Sequence, residues 1–231
     1  LRAEHGQTAE NAYLGQAGAY LITDPAEDAL GLPSGYGQFD IPLVLTSKYY
    51  NSDGTLRSRV GEDDKLWGDV IHVNGQPWPF LNVQPRKYRF RILDASLSRT
   101  FALYFARSNN NAKLPFRVIA SDSGLLERPV QTSELYVSMG ERYEIVFDFS
   151  QYRGQTLEMK NVRELNDIGT DDDYAATDKV MRFVVSNTAV NDPSVVPNSL
   201  RSVPFLPPSS GIDHQFRFHR FVSPGHTIHH F

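Results

Sequence analysis

Apolar and polar residues alternate along this chain with the two-residue period of strands. The clearest run is 87–93, where Tyr88, Phe90 and Ile92 interleave with Lys87, Arg89 and Arg91. A pleated strand sends those two sets to opposite faces, so the run predicts a half-buried strand with one apolar and one cationic side. Runs rich in Val, Ile, Tyr and Phe recur at 41–46, 70–73, 101–105, 116–120, 134–138, 143–149, 156–160 and 180–185, separated by Gly, Pro, Asn and Asp. About ten short strands broken by turn residues is the pattern of an all-β sandwich or barrel. Long helical periodicity is missing. Ser52-Asp53-Gly54 after Lys48-Tyr49-Tyr50, and Asn74-Gly75 after Ile71-His72-Val73, supply the positive φ that tight hairpin turns require.

Two stretches read as linkers. Residues 24–37 combine Pro25, Pro33 and three glycines, and residues 186–211 hold five prolines with many Ser and Asn. They leave a compact middle of about 38–186 and two flanking pieces too short to fold alone. Each piece contains a candidate edge strand, 18–23 in the first and 215–218 in the last. Tyr13, Tyr20, Leu21, Ile22, Phe216 and Phe218 are expected to be exposed there and to favour association.

Composition narrows the function classes. A formal charge of -4 with scattered Lys and Arg argues against a nucleic-acid partner. No apolar run approaches the roughly 18 to 20 residues of a membrane span, and residues 1–7 carry no signal-peptide pattern. The 231 residues contain no cysteine, which excludes disulfides, thiolate nucleophiles and any metal centre that needs sulfur.

The segment Gly68-Asp69-Val70-Ile71-His72-Val73-Asn74-Gly75-Gln76-Pro77-Trp78-Pro79, followed by Val83-Gln84-Pro85-Arg86-Lys87-Tyr88-Arg89-Phe90-Arg91-Ile92-Leu93-Asp94-Ala95, resembles the second cupredoxin-like domain of multicopper oxidases. The resemblance continues in Thr8-Ala9-Glu10-Asn11-Ala12-Tyr13, Gly15-Gln16-Ala17-Gly18, Asp24-Pro25-Ala26-Glu27-Asp28-Ala29-Leu30, Ala120-Ser121-Asp122-Ser123-Gly124-Leu125-Leu126 and Glu141-Arg142-Tyr143-Glu144-Ile145-Val146-Phe147-Asp148-Phe149. It covers about residues 8–218 and is nearest the bilirubin-oxidase-like and laccase-like members.

That resemblance implies a cupredoxin-like Greek-key sandwich within a three-domain plan. Residues 1–30 would be the end of a first domain, 31–188 the middle domain, and 189–231 a linker with the truncated start of a third. Such enzymes couple oxidation of phenols or tetrapyrroles at a type 1 copper to reduction of dioxygen to water at a trinuclear copper cluster. Their copper is held by a His, Cys, His set in the third domain and by His-x-His pairs in the first and third. The middle domain binds none. Neighbouring cupredoxin domains are the implied partners, and a secreted location is implied with them.

The ends depart from the family. His5 stands where paired histidines are expected, and the resemblance fades after Phe218, where the chain stops short of the copper-binding part of a third domain. The expectation is therefore no catalytic, cofactor-binding or metal-binding residue in this chain and no oxidation by it alone. Two other readings stand beside it: an interaction module that assembles with a separately encoded copper domain, and a truncated, inactive product.

Individual candidates have bland alternatives. His226, His229 and His230 are the histidine cluster, but their spacing fails the family's His-Pro-x-His-x-His motif, so they read as a frayed terminus. His72 reads as a strand histidine, and His5 is one imidazole where a site needs three. Asp171, Asp172 and Asp173, with Asp167 and Asp178, lack the Gly and Glu positions of a calcium hand and read as a solvated loop. Arg89 and Arg91, near Asp94 and Arg99, could hold an anion, but read as a solvent-facing or interdomain face. Ser121-Asp122-Ser123-Gly124 lacks a histidine partner and reads as a turn.

Overall fold

A computed structural model describes residues 8–57, 67–162, 176–204, 207, 208, 211, 215–217, 219–223 and 226–230; for the last two stretches only the backbone is described. Two sheets dominate it. The larger uses β1 (Asp40–Lys48), β2 (Val70–Val73), β3 (Gln76–Pro77), β5 (Lys87–Asp94), β7 (Phe116–Ser121), β8 (Gly124–Thr132) and β10 (Arg142–Asp148), in the order β3-β2-β1-β5-β10-β7-β8. The smaller uses β4 (Phe80–Val83), β6 (Phe101–Arg107), β9 (Leu135–Val137), β11 (Thr156–Asn161) and β12 (Lys179–Val185), in the order β4-β12-β11-β6-β9. Pairs β1/β5 and β4/β12 run parallel, and the other pairs described in the two sheets are antiparallel.

The core lies between the sheets and is largely aromatic. Phe90 from the larger sheet meets Phe183 from the smaller at 5.4 Å between ring centroids, and Phe105 stacks on Phe147 at 4.1 Å. These side chains, with Leu43, Leu45, Ile92 and Phe149, are almost wholly buried. Each buried aromatic ring contributes a large apolar area, and offset or edge contacts add about 0.5 to 1.5 kcal/mol per pair.

All nine strands expected within the middle segment form, and the turn chemistry acts as anticipated. Asn74 and Gly75 both have positive φ, 52° and 80°, in the tight turn between β2 and β3. The Asn74 side chain also accepts from Val44 N–H at 2.8 Å, tying that turn to β1. In the second turn Tyr50 bridges to Leu56, with Gly54 at φ 83°.

Other expectations are corrected. Residues 18–23 form no strand: the backbone from 16 to 24 is irregular, and among the described residues no strand pairs with it. Residues 215–217 likewise form no strand, and Phe218 lies outside the described residues. The tail is not a frayed end, since β13 (His219–Ser223) and β14 (His226–His230) pair as an antiparallel hairpin. The cationic face of β5 is not open either. Arg89 is 3% exposed, with acidic side chains from two other segments, Glu27 and Glu144, against it.

Residues 24–37 and 192–200, within the two linkers, are packed straps. Pro25 occupies the first turn of α2 (Pro25–Asp28), where its missing N–H costs nothing, and the Asp24 carboxylate caps Ala26 N–H at 2.9 Å. Leu30 and Leu32 then join Val196 and Leu200 in a small apolar cluster with Ile119 and Val146. Those two residues point away from the main core by strand alternation, so the cluster sits on the outer face of the larger sheet. Helix α1 (Thr8–Tyr13) is anchored through Tyr13, which is 4% exposed rather than free as expected.

Candidate functional site

The outer face of β5 concentrates the charge. Arg89 donates through Nε to Glu144 at 2.7 Å and through Nη1 to Glu27 at 2.5 Å, and its Nη2 also reaches Glu144. Arg91 makes a two-pronged contact with Asp40, at 2.8 and 2.7 Å, and donates to Glu144 at 2.6 Å. Burial alone would lower the Arg91 pKa, but Asp40, Glu144 and Glu27 outweigh it and raise it. Two guanidiniums shared among three carboxylates leave no unsatisfied cation facing a ligand. The anion site considered from the sequence is occupied by the protein's own acids.

One turn upstream, Asp192 from the second strap accepts from Arg86 Nη2, Lys87 N–H and Ser194 N–H at 2.9, 2.9 and 3.0 Å. Burial opposes ionisation of Asp192, yet the Ser194 and Lys87 hydrogen bonds hold its carboxyl down at about 2. The opposite end of β5 behaves otherwise. Asp94 is wholly buried; its Oδ1 accepts Ser96 N–H at 2.8 Å while its Oδ2 has no hydrogen-bond partner. Burial pushes its pKa up to about 7, against the pull of Ser96 and Arg99. Arg99 is engaged with the carbonyls of Trp67 and Gly68 at 3.0 and 2.8 Å.

A second cluster surrounds His72. Its Nε2 lies 3.1 Å from the Tyr50 hydroxyl, and the two rings stack at 5.7 Å. Burial, then the Lys48 charge, lowers its pKa, which favours the neutral imidazole. Lys48 Nζ donates to the Tyr13 carbonyl at 2.7 Å, so this cluster docks α1 onto the end of β1. Asp122 sits in the β7–β8 turn and accepts Arg142 N–H at 2.7 Å, with no histidine among its hydrogen-bond partners. Asp178 pairs with Lys160 at 3.2 Å; Asp167, Asp171, Asp172, Asp173 and His5 lie outside the described residues.

Hairpin register reorganises the histidine tail. His219 stands opposite His230, Arg220 opposite His229 and Ser223 opposite His226. By alternation His226 and His230 share one face of β14 and His229 the other. The sequence cluster is therefore split, and the cross-strand partner, His219, could be found only once the register was known. A shallow cavity of about 300 Å³ is lined by Asn82, Val83, Gln84, Val184 and Ser186, none of them titratable.

The bilirubin oxidase of Albifimbria verrucaria is 62% identical over 224 residues, covering 96% of this chain and 39% of that protein. The laccase of Bacillus subtilis (strain 168) is 35% identical over 207 residues, 84% of this chain and 38% of that one. Among solved structures, the McoA multicopper oxidase of the hyperthermophile Aquifex aeolicus superposes with a TM-score of 0.78 at 33% identity, covering 87% of this chain and 43% of that chain. The chain belongs to the multicopper oxidase family. Its fold is the cupredoxin-like sandwich that the resemblance implied. No family model matches it. It spans about two fifths of the length of these relatives, 39% and 38%.

Copper is the metal of the multicopper oxidase family, and the residues of this chain do not fit its type 1 centre, which needs a thiolate. The chain has no thiolate to offer. Among the described residues no three His, Cys, Asp or Glu side chains are grouped as a metal site. His72 has an aromatic partner and a neighbouring cation, conditions that oppose a second positive charge.

Proposed function

We propose that residues 31–188 are the copper-free middle domain of a multicopper oxidase, with 1–30 ending a first cupredoxin domain and 189–231 leading into a third. The domain orients the copper domains of an oxidase that couples phenol or tetrapyrrole oxidation to reduction of dioxygen to water. Secretion goes with that reading. The observation that carries it is the donor chemistry: a chain in this family without a cysteine cannot itself hold a type 1 copper. It is supported by the flanks, where Tyr20 is 91% exposed, Ile22 82% and Phe216 85%. Apolar residues so exposed suit burial against a neighbouring domain.

Oxidation of a phenolic dye tests the reading, measured for this chain alone and after joining or mixing it with the flanking copper domains of a relative. The expected result is no turnover alone and turnover in the joined protein. Turnover on simple mixing would favour assembly in trans, to which the exposed Tyr20 and Ile22 are equally suited. Turnover by the chain alone would overturn the reading.

A further inference from the structure

The two straps touch each other as well as the sheet. Val195 N–H donates to the Gly31 carbonyl at 2.8 Å, a direct bond between segments far apart in sequence. Gly31 has φ +68°, and a Cβ placed on it would lie 3.2 Å from Val195 Cγ2, so the Val195 side chain packs on the Gly31 backbone more closely than a side chain there comfortably permits. Both straps feed the same apolar cluster, Leu30 and Leu32 from one side and Val196 and Leu200 from the other. Both are also held by the same strand. Glu27 of the first strap pairs with Arg89 of β5, while Asp192 of the second pairs with Arg86 and Lys87 at its start.

We propose that the straps form a single cooperative clamp, in which seating of one on β5 is energetically tied to seating of the other. Glu27, Gly31, Asp192 and Val195 are its positioning residues. If the straps lead to copper domains, as proposed above, the clamp makes β5 the common reference for placing both. A shift of the domain on one side would then be felt at the other through the Gly31–Val195 contact. The inference rests on that reading for its purpose, but the coupling itself is a property of this chain.

Coupling between two sites is reciprocal, which makes it testable by native-state hydrogen exchange on the 231-residue chain. The Leu200 amide, in the second strap, bonds to the Glu127 carbonyl at 2.9 Å. The Leu30 amide, in the first, bonds to the Glu27 carbonyl at 3.0 Å. Glu27→Gln should speed exchange at Leu200 about tenfold beyond any change at the core amide of Met159, within the range for coupled sites. Asp192→Asn should speed Leu30 by a similar factor. Gly31→Ala, which leaves every ion pair in place, should speed both, and serves if a charge variant fails to fold. Acceleration confined to the substituted strap would overturn the clamp while leaving the domain reading intact. Reciprocal acceleration without turnover in the joined oxidase would sustain the clamp and remove the domain reading.

Discussion

The inner face of β5 is buried throughout and the outer face deeply buried only at Arg89, and buried charges on the two faces have opposite electrostatic fates. On the inner face Tyr88, Phe90, Ile92 and Asp94 are each no more than 4% exposed; on the outer face Arg89 is 3% exposed. Arg89 nonetheless keeps its charge company, with Glu27 and Glu144 both in contact. Asp94 has one backbone donor in direct hydrogen bond and an unsatisfied oxygen, and its pKa moves up to about 7. Burial by itself therefore does not decide what happens to a charge in this domain. Partners do, and on the outer face those partners arrive from the straps and from β10.

Four substitutions sharpen the contrast, the largest first. Phe90→Ala removes the ring that meets Tyr88, Phe105, Phe149 and Phe183. It should cost about 3 to 5 kcal/mol in denaturant unfolding, through lost burial and the cavity left behind. A smaller loss would mean that the inner face repacks readily.

Asp94→Asn should act in the opposite direction and depend on pH. The folded chain holds the Asp94 proton up to about pH 7, whereas an unfolded aspartate releases it near pH 4. Wild-type stability from this group is thus full below about pH 4 and is lost as pH rises through about 7. The asparagine variant should flatten that slope and exceed wild type at pH 8 by about 2 to 4 kcal/mol. Identical pH profiles for the two proteins would show that Asp94 is satisfied in a way the geometry does not display.

Glu144→Gln withdraws the acid shared by Arg89 and Arg91. Because Glu144 is partly accessible, about 2 kcal/mol of destabilisation is expected by thermal unfolding, below the range for fully buried pairs. Tyr20→Ser is the smallest change. With its ring 91% exposed it should shift the stability of this chain by less than about 0.5 kcal/mol while reducing its tendency to associate.

Much of the fold was written in local pattern. The alternation of 87–93 located β5, and Asn74-Gly75 located a hairpin turn, since each depends on neighbours in sequence. β8 escaped because Pro129 and a mostly exposed surface hide its period; as an edge strand it tolerates both. Strap packing was not legible, because Leu30, Leu32, Val196 and Leu200 are sparse apolar residues without period, matched to Ile119 and Val146 from distant strands. The partners of Arg89 lie 55 and 62 residues away, beyond any spacing rule. The candidate site was readable mainly as chemistry the chain lacks. Zero cysteines fixed the statement about type 1 copper, whereas the His219 and His230 pairing needed the hairpin register.

Copper stoichiometry is the most direct test of the copper-free domain. The chain would be folded with excess copper, desalted, and assayed for metal per polypeptide together with its visible spectrum. No stoichiometric copper should be retained and no intense thiolate-to-copper band should appear. One or more coppers held per chain through desalting, and lost on replacing His72 or the His219 and His230 pair, would contradict the copper-free reading.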